Sequence, residues 1–278
     1  MSLFAFGLGY SAGRVIARGK LGAAAGTARA PAAVEGWRGS GVDAHLFGAG
    51  AEAATQAEIA LVSIPPDADG DPTLRAYGPA LRAGRLARVV YLSTVGVYGD
   101  AGGGWVDEDS PTLATTPRAR ARVAAEAAWR AFGRKAGVSI DILRLGGIYG
   151  PGRSAFDRLR DGTARRVVKP GQVFNRIHVD DIAAAVETIA TAARLGAFYN
   201  VVDGAPSAPE EMIVYAAGLI DVAPPPEEPF ATAGLSGMAA SFYEENRRVR
   251  NDRLRALGWT PRYPTYREGL AAILAEEG

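Results

Sequence analysis

The segment Gly7-Leu8-Gly9-Tyr10-Ser11-Ala12 constrains this chain more than any other. It follows a short apolar run, Leu3 to Phe6, and leads into Ala12 to Arg18, which carries Val15 and Ile16 inward at helical spacing. The pattern is G-x-G-x-x-G/A at a first strand–helix junction. Gly7 permits a tight turn, Gly9 lets the backbone approach a diphosphate, and the small Ala12 lets helix and strand pack closely. A helix start offers unpaired N–H groups and the positive end of its dipole to such an anion, with Tyr10 among them. The chain is therefore expected to bind a dinucleotide.

The residue about 20 positions further on discriminates between coenzymes, an acid for the ribose hydroxyl of NAD and an Arg for the 2′-phosphate of NADP. Here the second strand ends Gly26-Thr27-Ala28-Arg29, with no acid before Glu35, so Thr27 and Arg29 point to NADP, with NAD as the alternative. Arg29 as a solvated surface residue is the bland reading. Gly9-Tyr10-Ser11-Ala12-Gly13 also matches G-x-S-x-G, the nucleophile elbow of α/β hydrolases. That elbow lies well into its chain and is followed by the acid and the His. A serine at position 11 does not fit.

Apolar runs consistent with strands recur at about Ala23 to Ala28, Val42 to Phe47, Glu58 to Ile64, Arg88 to Ser93 and Ser139 to Leu145. A helix is expected from about Arg118 to Ala136. Continuous apolar strands alternating with helices predict an α/β fold, a doubly wound parallel sheet covered on both faces. Ligands of such sheets sit at the carboxyl ends of the strands, which adds Pro65 and Gly146 to the expected coenzyme contacts. After Pro151 the texture changes: Arg153 to Lys169 is basic and loop-rich, Asp181 to Arg194 is helical, and Phe198 to Val202 is one more strand returning to the sheet. Pro is dense beyond Gly204, and a closing helix covers about Tyr266 to Glu276. The expected division is a nucleotide-binding domain of residues 1–150 plus 176–204 and a smaller substrate lobe of residues 151–175 plus 205–278.

Composition excludes several functions. Lys plus Arg number 31 against 30 Asp plus Glu, so no net charge draws the chain to nucleic acid or an anionic membrane. Without cysteine there is no disulfide, thiol nucleophile or Cys-ligated metal, and His45 and His178 alone do not make a histidine metal site. Charged residues interrupt every apolar run before it reaches a bilayer's thickness. The opening Met1-Ser2-Leu3-Phe4 lacks the basic flank of a signal peptide, so a cytoplasmic protein is expected.

Several further segments carry a resemblance: Tyr91-Leu92-Ser93-Thr94-Val95-Gly96-Val97-Tyr98-Gly99, Leu143 to Arg153 (LRLGGIYGPGR), Ile177-His178-Val179-Asp180-Asp181-Ile182-Ala183, Tyr199 to Gly204 (YNVVDG) and Leu257-Gly258-Trp259-Thr260-Pro261. With the Gly-rich turn, and in this order across nearly the whole chain, they resemble the extended short-chain dehydrogenase/reductase family of the NAD(P)-dependent epimerase/dehydratase type. The resemblance implies a Rossmann sheet with a C-terminal substrate lobe, a Ser/Thr-Tyr-Lys catalytic set, a small-molecule carbonyl or sugar-like substrate, and a homodimer formed through helices. Thr94 falls at the family's Ser/Thr position. The Tyr-x-x-x-Lys pair falls at Arg118 and Arg122, so both of its identities are missing.

Arg keeps its proton to very high pH and cannot serve as the base. One helical turn apart, Arg118 and Arg122 would clamp an anionic substrate or coenzyme phosphates, polarise a carbonyl, or simply form a solvated basic face with Arg120 and Arg130. Tyr98 and Tyr149 are candidates to stand in for the missing Tyr, but the family uses both mainly as packing and loop-forming residues, and that role is the expected one. His178 is expected as a buried residue before a helix capped by Asp180 or Asp181. Arg144 and Arg153 would face substrate or solvent, and Trp105-Val106-Asp107-Glu108-Asp109 would line the site's mouth or form a solvated loop. Two functions result: an atypical NADP(H)-dependent oxidoreductase or epimerase/dehydratase with Thr94 on the reacting oxygen, and a non-catalytic NADP(H)-binding sensor or scaffold.

Overall fold

The computed structural model describes residues 1–193, 196–235 and 237–277. The chain begins β1 (Ser2–Phe6), α1 (Tyr10–Ala17), β2 (Ala23–Ala28), α2 (Pro31–Gly39), β3 (Asp43–Leu46), α3 (Ala51–Thr55), β4 (Ile59–Val62), α4 (Pro72–Ala83) and β5 (Arg88–Thr94). A 3-10 turn, Val95–Tyr98, follows, then β6 (Trp105–Val106), α5 (Pro117–Ala136), β7 (Ser139–Leu145), β8 (Gly147–Tyr149), α6 (Ala155–Arg160), β9 (Arg166–Val168) and β10 (Arg176–His178). The remainder is α7 (Val179–Thr191), β11 (Phe198–Val201), α8 (Pro209–Leu219), β12 (Glu227–Pro229), α9 (Gly237–Glu244), β13 (Arg248–Val249), α10 (Asp252–Arg255) and α11 (Tyr266–Glu277).

Seven strands form one sheet in the order β11-β7-β5-β4-β1-β2-β3. Every pairing in it is parallel. Parallel strands need crossover helices, and these cover both faces, so β4 (IALV) and β7 (SIDILRL) are buried at every position. Against one face lie α1, α2 and α7 through Val15, Val34 and Ile182; against the other lie α4 and α5 through Tyr77, Leu81, Trp129 and Phe132. The order reverses between β1 and β4. That topological switch opens a crevice at the carboxyl ends of the two strands, directly above Gly7.

Helix α5 shows how local sequence sets an element. Pro117 occupies its first turn, Thr116 accepts a hydrogen bond from the Ala119 N–H, and Gly137 ends it in the left-handed conformation at φ +69.

Three expectations need correction. Arg153 to Lys169 is not simply loop: it contains α6, closed by a Ser154–Asp157 capping box, and β9. Helix α7 starts at Val179, and its cap is His178, whose Nδ1 accepts from the Asp180 N–H at 3.2 Å. Asp180 and Asp181 sit in the first turn instead, where their charge favours the dipole and their side chains are free for distant partners. The expected end of this helix at Arg194 lies outside the described residues. Among the described residues no helix is long and apolar enough to cross a membrane.

Candidate functional site

The crevice is built first by the Gly-rich turn. Gly7 takes φ +95, and a Cβ there would lie 2.7 Å from Ser63 Oγ and 2.9 Å from Ile64 Cγ1. Any side chain would therefore be strained and would collide with the end of β4. Ser63 closes the junction by donating to the Gly7 carbonyl at 2.8 Å. Thr27, fully buried, serves from below: its carbonyl accepts from the Leu8 N–H at 2.8 Å and its Oγ1 from the Gly7 N–H at 3.4 Å. Gly9 is the first cap of α1, with no side chain satisfying the helix start and no acid in its first turn. Ala12 is fully buried, as close helix–strand packing requires. This uncapped, acid-free helix start behind two glycines fits the diphosphate of a dinucleotide.

Around it, Arg29 is exposed just past β2 and Pro65 is exposed just past β4. Gly146 is buried where β7 ends, its N–H donating to Val201 O, and a Cβ there would crowd the Asn175 carbonyl at 3.0 Å. Tyr10 spans the crevice: its hydroxyl donates to Pro151 O at 3.0 Å, and the Arg153 guanidinium lies 5.8 Å from its ring centre. Burial pushes the Tyr10 phenol up to about 12.

Thr94 ends β5 and caps the 3-10 turn, with Oγ1 accepting from the Gly96 N–H at 3.1 Å. The two arginines expected at the positions of the family's Tyr and Lys part company. Arg122 is half-buried and turned onto the sheet, its Nη1 donating to Leu92 O at 2.9 Å and to the Tyr91 hydroxyl at 3.0 Å. Arg118 is exposed at the start of α5, 5.6 Å from the ring centre of Phe242 on α9.

The tyrosines nearby are not poised for proton transfer. Tyr98 is buried and donates to Asn200 Oδ1 at 2.7 Å, and burial raises its pKa. Tyr149 is buried against Thr265 O, and its pKa also rises through desolvation. His178 is 1% exposed, flanked by Tyr149 and Tyr263, and burial lowers it to about 4, so it is neutral at pH 7. Its neighbour Asp180 binds the Arg14 guanidinium through both oxygens.

Arg144 does not face substrate. It is buried and holds Glu126 of α5 through two hydrogen bonds, Nη2 to Oε2 at 2.8 Å and Nε to Oε1 at 3.2 Å. The acidic segment is neither a mouth nor a wholly solvated loop. Trp105–Val106 is strand β6, Glu108 is buried and accepts from the Asn200 N–H at 2.8 Å, and Asp109 pairs with Arg253 at 2.7 Å.

Three contributors carry no motif. Trp37 of α2 donates to the Leu8 carbonyl at 3.1 Å. Asn175 ties the C-terminal segment to the site by donating to Arg247 O at 3.0 Å and accepting from the Val249 N–H at 2.9 Å. Arg247 itself reaches into the crevice near Gly96. None of the three gave a signal in the sequence, because each contact joins residues far apart along the chain. No group of acids and histidines suited to a metal ion occurs among the described residues.

Comparison with known proteins agrees with this geometry. The NAD dependent epimerase/dehydratase family matches residues 74–202. Protein YeeZ of Escherichia coli (strain K12) is 30% identical over 210 residues, 69% of this chain and 73% of that protein. A solved structure of a functionally unknown conserved protein from Silicibacter pomeroyi DSS is 43% identical, with a TM-score of 0.92 over 99% of this chain and 98% of that one. The fold also matches a human epimerase family protein solved with NADPH, at 17% identity and a TM-score of 0.75, with 99% of each chain covered.

Proposed function

We propose, from the premise that this chain belongs to the NAD dependent epimerase/dehydratase family, that it is an NADP(H)-dependent oxidoreductase acting on a small carbonyl or sugar-like compound. The observation that carries this reading is the uncapped start of α1 behind Gly7 and Gly9. NADP rather than NAD is supported by Arg29, exposed just past β2 without an acidic partner within ion-pair reach among the described residues. Gly7, Gly9, Tyr10, Ala12, Thr27, Pro65 and Gly146 complete the proposed coenzyme cradle. Residues 151–175 and 205–278 supply the substrate side.

Bound there, the coenzyme would exchange a hydride with the substrate's carbonyl carbon. Thr94 holds the reacting oxygen: its Oγ1 already accepts from the Gly96 N–H, which leaves its proton free to donate. Arg122 steadies the end of β5 through Leu92 O, while Arg118 stays exposed beside Phe242. Neither arginine gives up a proton, and burial keeps the phenols of Tyr91, Tyr98 and Tyr149 protonated at neutral pH.

NADPH titration, followed by stereospecific oxidation of bound NADPH across a panel of carbonyl compounds, tests the reading. A specific observation favours the second function, a coenzyme-binding sensor or scaffold: Arg122 is engaged by Tyr91 and Leu92 where the family places a Lys. Tight NADPH binding with no turnover across the panel would move the assignment there. The coenzyme preference has its own test. Arg29→Ala should weaken NADPH by about 10- to 100-fold and NADH hardly at all, the scale of one charge-assisted hydrogen bond. Equal losses would remove Arg29 from the site.

A further inference from the structure

Gly96 lies in the 3-10 turn two residues beyond Thr94. A methyl group in place of its hydrogen would sit 3.4 Å from Thr94 Oγ1 and 3.9 Å from Arg247 Nη2. The hydroxyl and the guanidinium, from two distant stretches of chain, thus flank one open point.

Arg247 is held there on one side only. Its Nη1 donates to Gly99 O and to Glu245 Oε2, the latter at 2.7 Å, and Glu245 is fixed in turn by the Thr115 hydroxyl at 2.6 Å. The Arg247 backbone is pinned by Asn175. Its Nε is buried without a hydrogen-bond partner, and Nη2 makes no hydrogen bond among the described residues. The side chain is only 13% exposed, so water compensates little for these missing bonds. The unpaired Nη2, the guanidinium atom beside the open point at Gly96, is suited to a charge-assisted hydrogen bond to an oxyanion.

We propose that Arg247 is a substrate-binding residue. It takes an anionic oxygen, of a carboxylate or a phosphate, on a carbonyl compound whose reacting oxygen rests on Thr94, and Gly96 leaves the room between them. The assignment rests on the nicotinamide-dependent reading of the same crevice and adds the substrate's charge to it. It also accounts for a site without the family's Lys: the fixed positive charge comes from the C-terminal segment rather than from α5.

The test is calorimetric titration of NADP-saturated protein with two matched pairs: benzoylformate against its methyl ester, and dihydroxyacetone phosphate against dihydroxyacetone. At least one anion should bind ten times or more tighter than its neutral partner, and which pair shows this distinguishes carboxylate from phosphate. Arg247→Met should erase that preference while NADPH affinity is kept, and Arg247→Lys should restore part of it. Gly96→Ala covers the case in which Arg247→Met fails to fold. Its methyl meets only ordinary contacts and its backbone is not left-handed, so it should fold and bind NADPH normally yet lose anion binding at least tenfold. Anions that bind no better than neutral partners, or a Gly96→Ala protein that binds them like the parent, would overturn the assignment. Failure of the parent protein to bind NADPH would instead overturn the nicotinamide reading beneath it.

Discussion

Trp37 illustrates what one side chain can do for a turn that it never joins in sequence. Its indole N–H holds the Leu8 carbonyl at 3.1 Å, and its ring covers Gly13, where a Cβ would come within 2.9 Å of Cη2. The peptide between the two glycines of the turn is thereby fixed before any ligand arrives, which spares the cost of ordering it on binding. Trp37→Phe keeps most of the packing and removes the hydrogen bond, worth ~1 kcal/mol or about fivefold in affinity. It should weaken NADPH and NADH alike, in contrast to Arg29→Ala, because the contact acts on the shared diphosphate. Fluorescence titration of both coenzymes would show this, and an unchanged affinity for each would remove Trp37 from the argument.

Helix α5 owes its seating to a buried charge pair. Glu126 and Arg144 are both nearly inaccessible; the Ser93 hydroxyl donates to the same carboxylate at 2.6 Å, and Arg144 lies between the rings of Tyr98 and Phe198 at 4.9 and 4.4 Å. Arg118, Arg122 and Glu126 follow at four-residue spacing on one face, so the pair sets the register that turns Arg122 onto β5. Glu126→Ala would strand a buried guanidinium and should cost about 3–5 kcal/mol in urea unfolding. Glu126→Leu combined with Arg144→Met should recover most of that loss. A single-variant cost under ~1 kcal/mol, the scale of an exposed pair such as Arg38–Glu35, would mean the pair does not hold the helix.

At the scale of the molecule, buried ionisable groups gather where the C-terminal segments dock on the sheet. Asp181 accepts from the backbone N–H groups of Arg262 and Tyr263 at 2.6 and 3.1 Å. Asp203, at the exit from β11, accepts from the Ala205 N–H while its other oxygen is unpartnered, near Arg176 and Tyr149. Desolvation raises Asp181 to about 6 and Asp203 to about 7, and lowers His178 to about 4. A carboxyl raised by folding contributes stability that is complete below its unfolded value near pH 4 and is lost as pH rises through its folded value. His178 works the other way, its contribution complete above about pH 6.5 and lost toward pH 4. Asp203→Asn should therefore flatten the fall in stability between about pH 4 and 7, giving a higher Tm than the parent at pH 8 and no gain at pH 4. Parallel Tm–pH curves for the two proteins would show that Asp203 is not the group responsible.

The sequence by itself determined the sheet and the place of the crevice. Strands buried on both faces need unbroken apolar runs, so β4, β5 and β7 were legible, and only glycine at position 7 tolerates φ +95 beside Ser63. It also singled out Thr94, Arg118 and Arg122 as candidates, because a motif keeps its order along the chain. Only the tertiary structure decided which charges meet. The sequence leaves Arg144 open between substrate and solvent because nothing local discloses Glu126, and His178 emerges as a helix cap because its ring finds the Asp180 N–H. Arg247 lay in no motif and came to Gly96 through the docking of β13 beside β6. Backbone preference acts over a few residues and is written locally, whereas the partner of a buried charge is chosen by whatever the fold brings within hydrogen-bond reach.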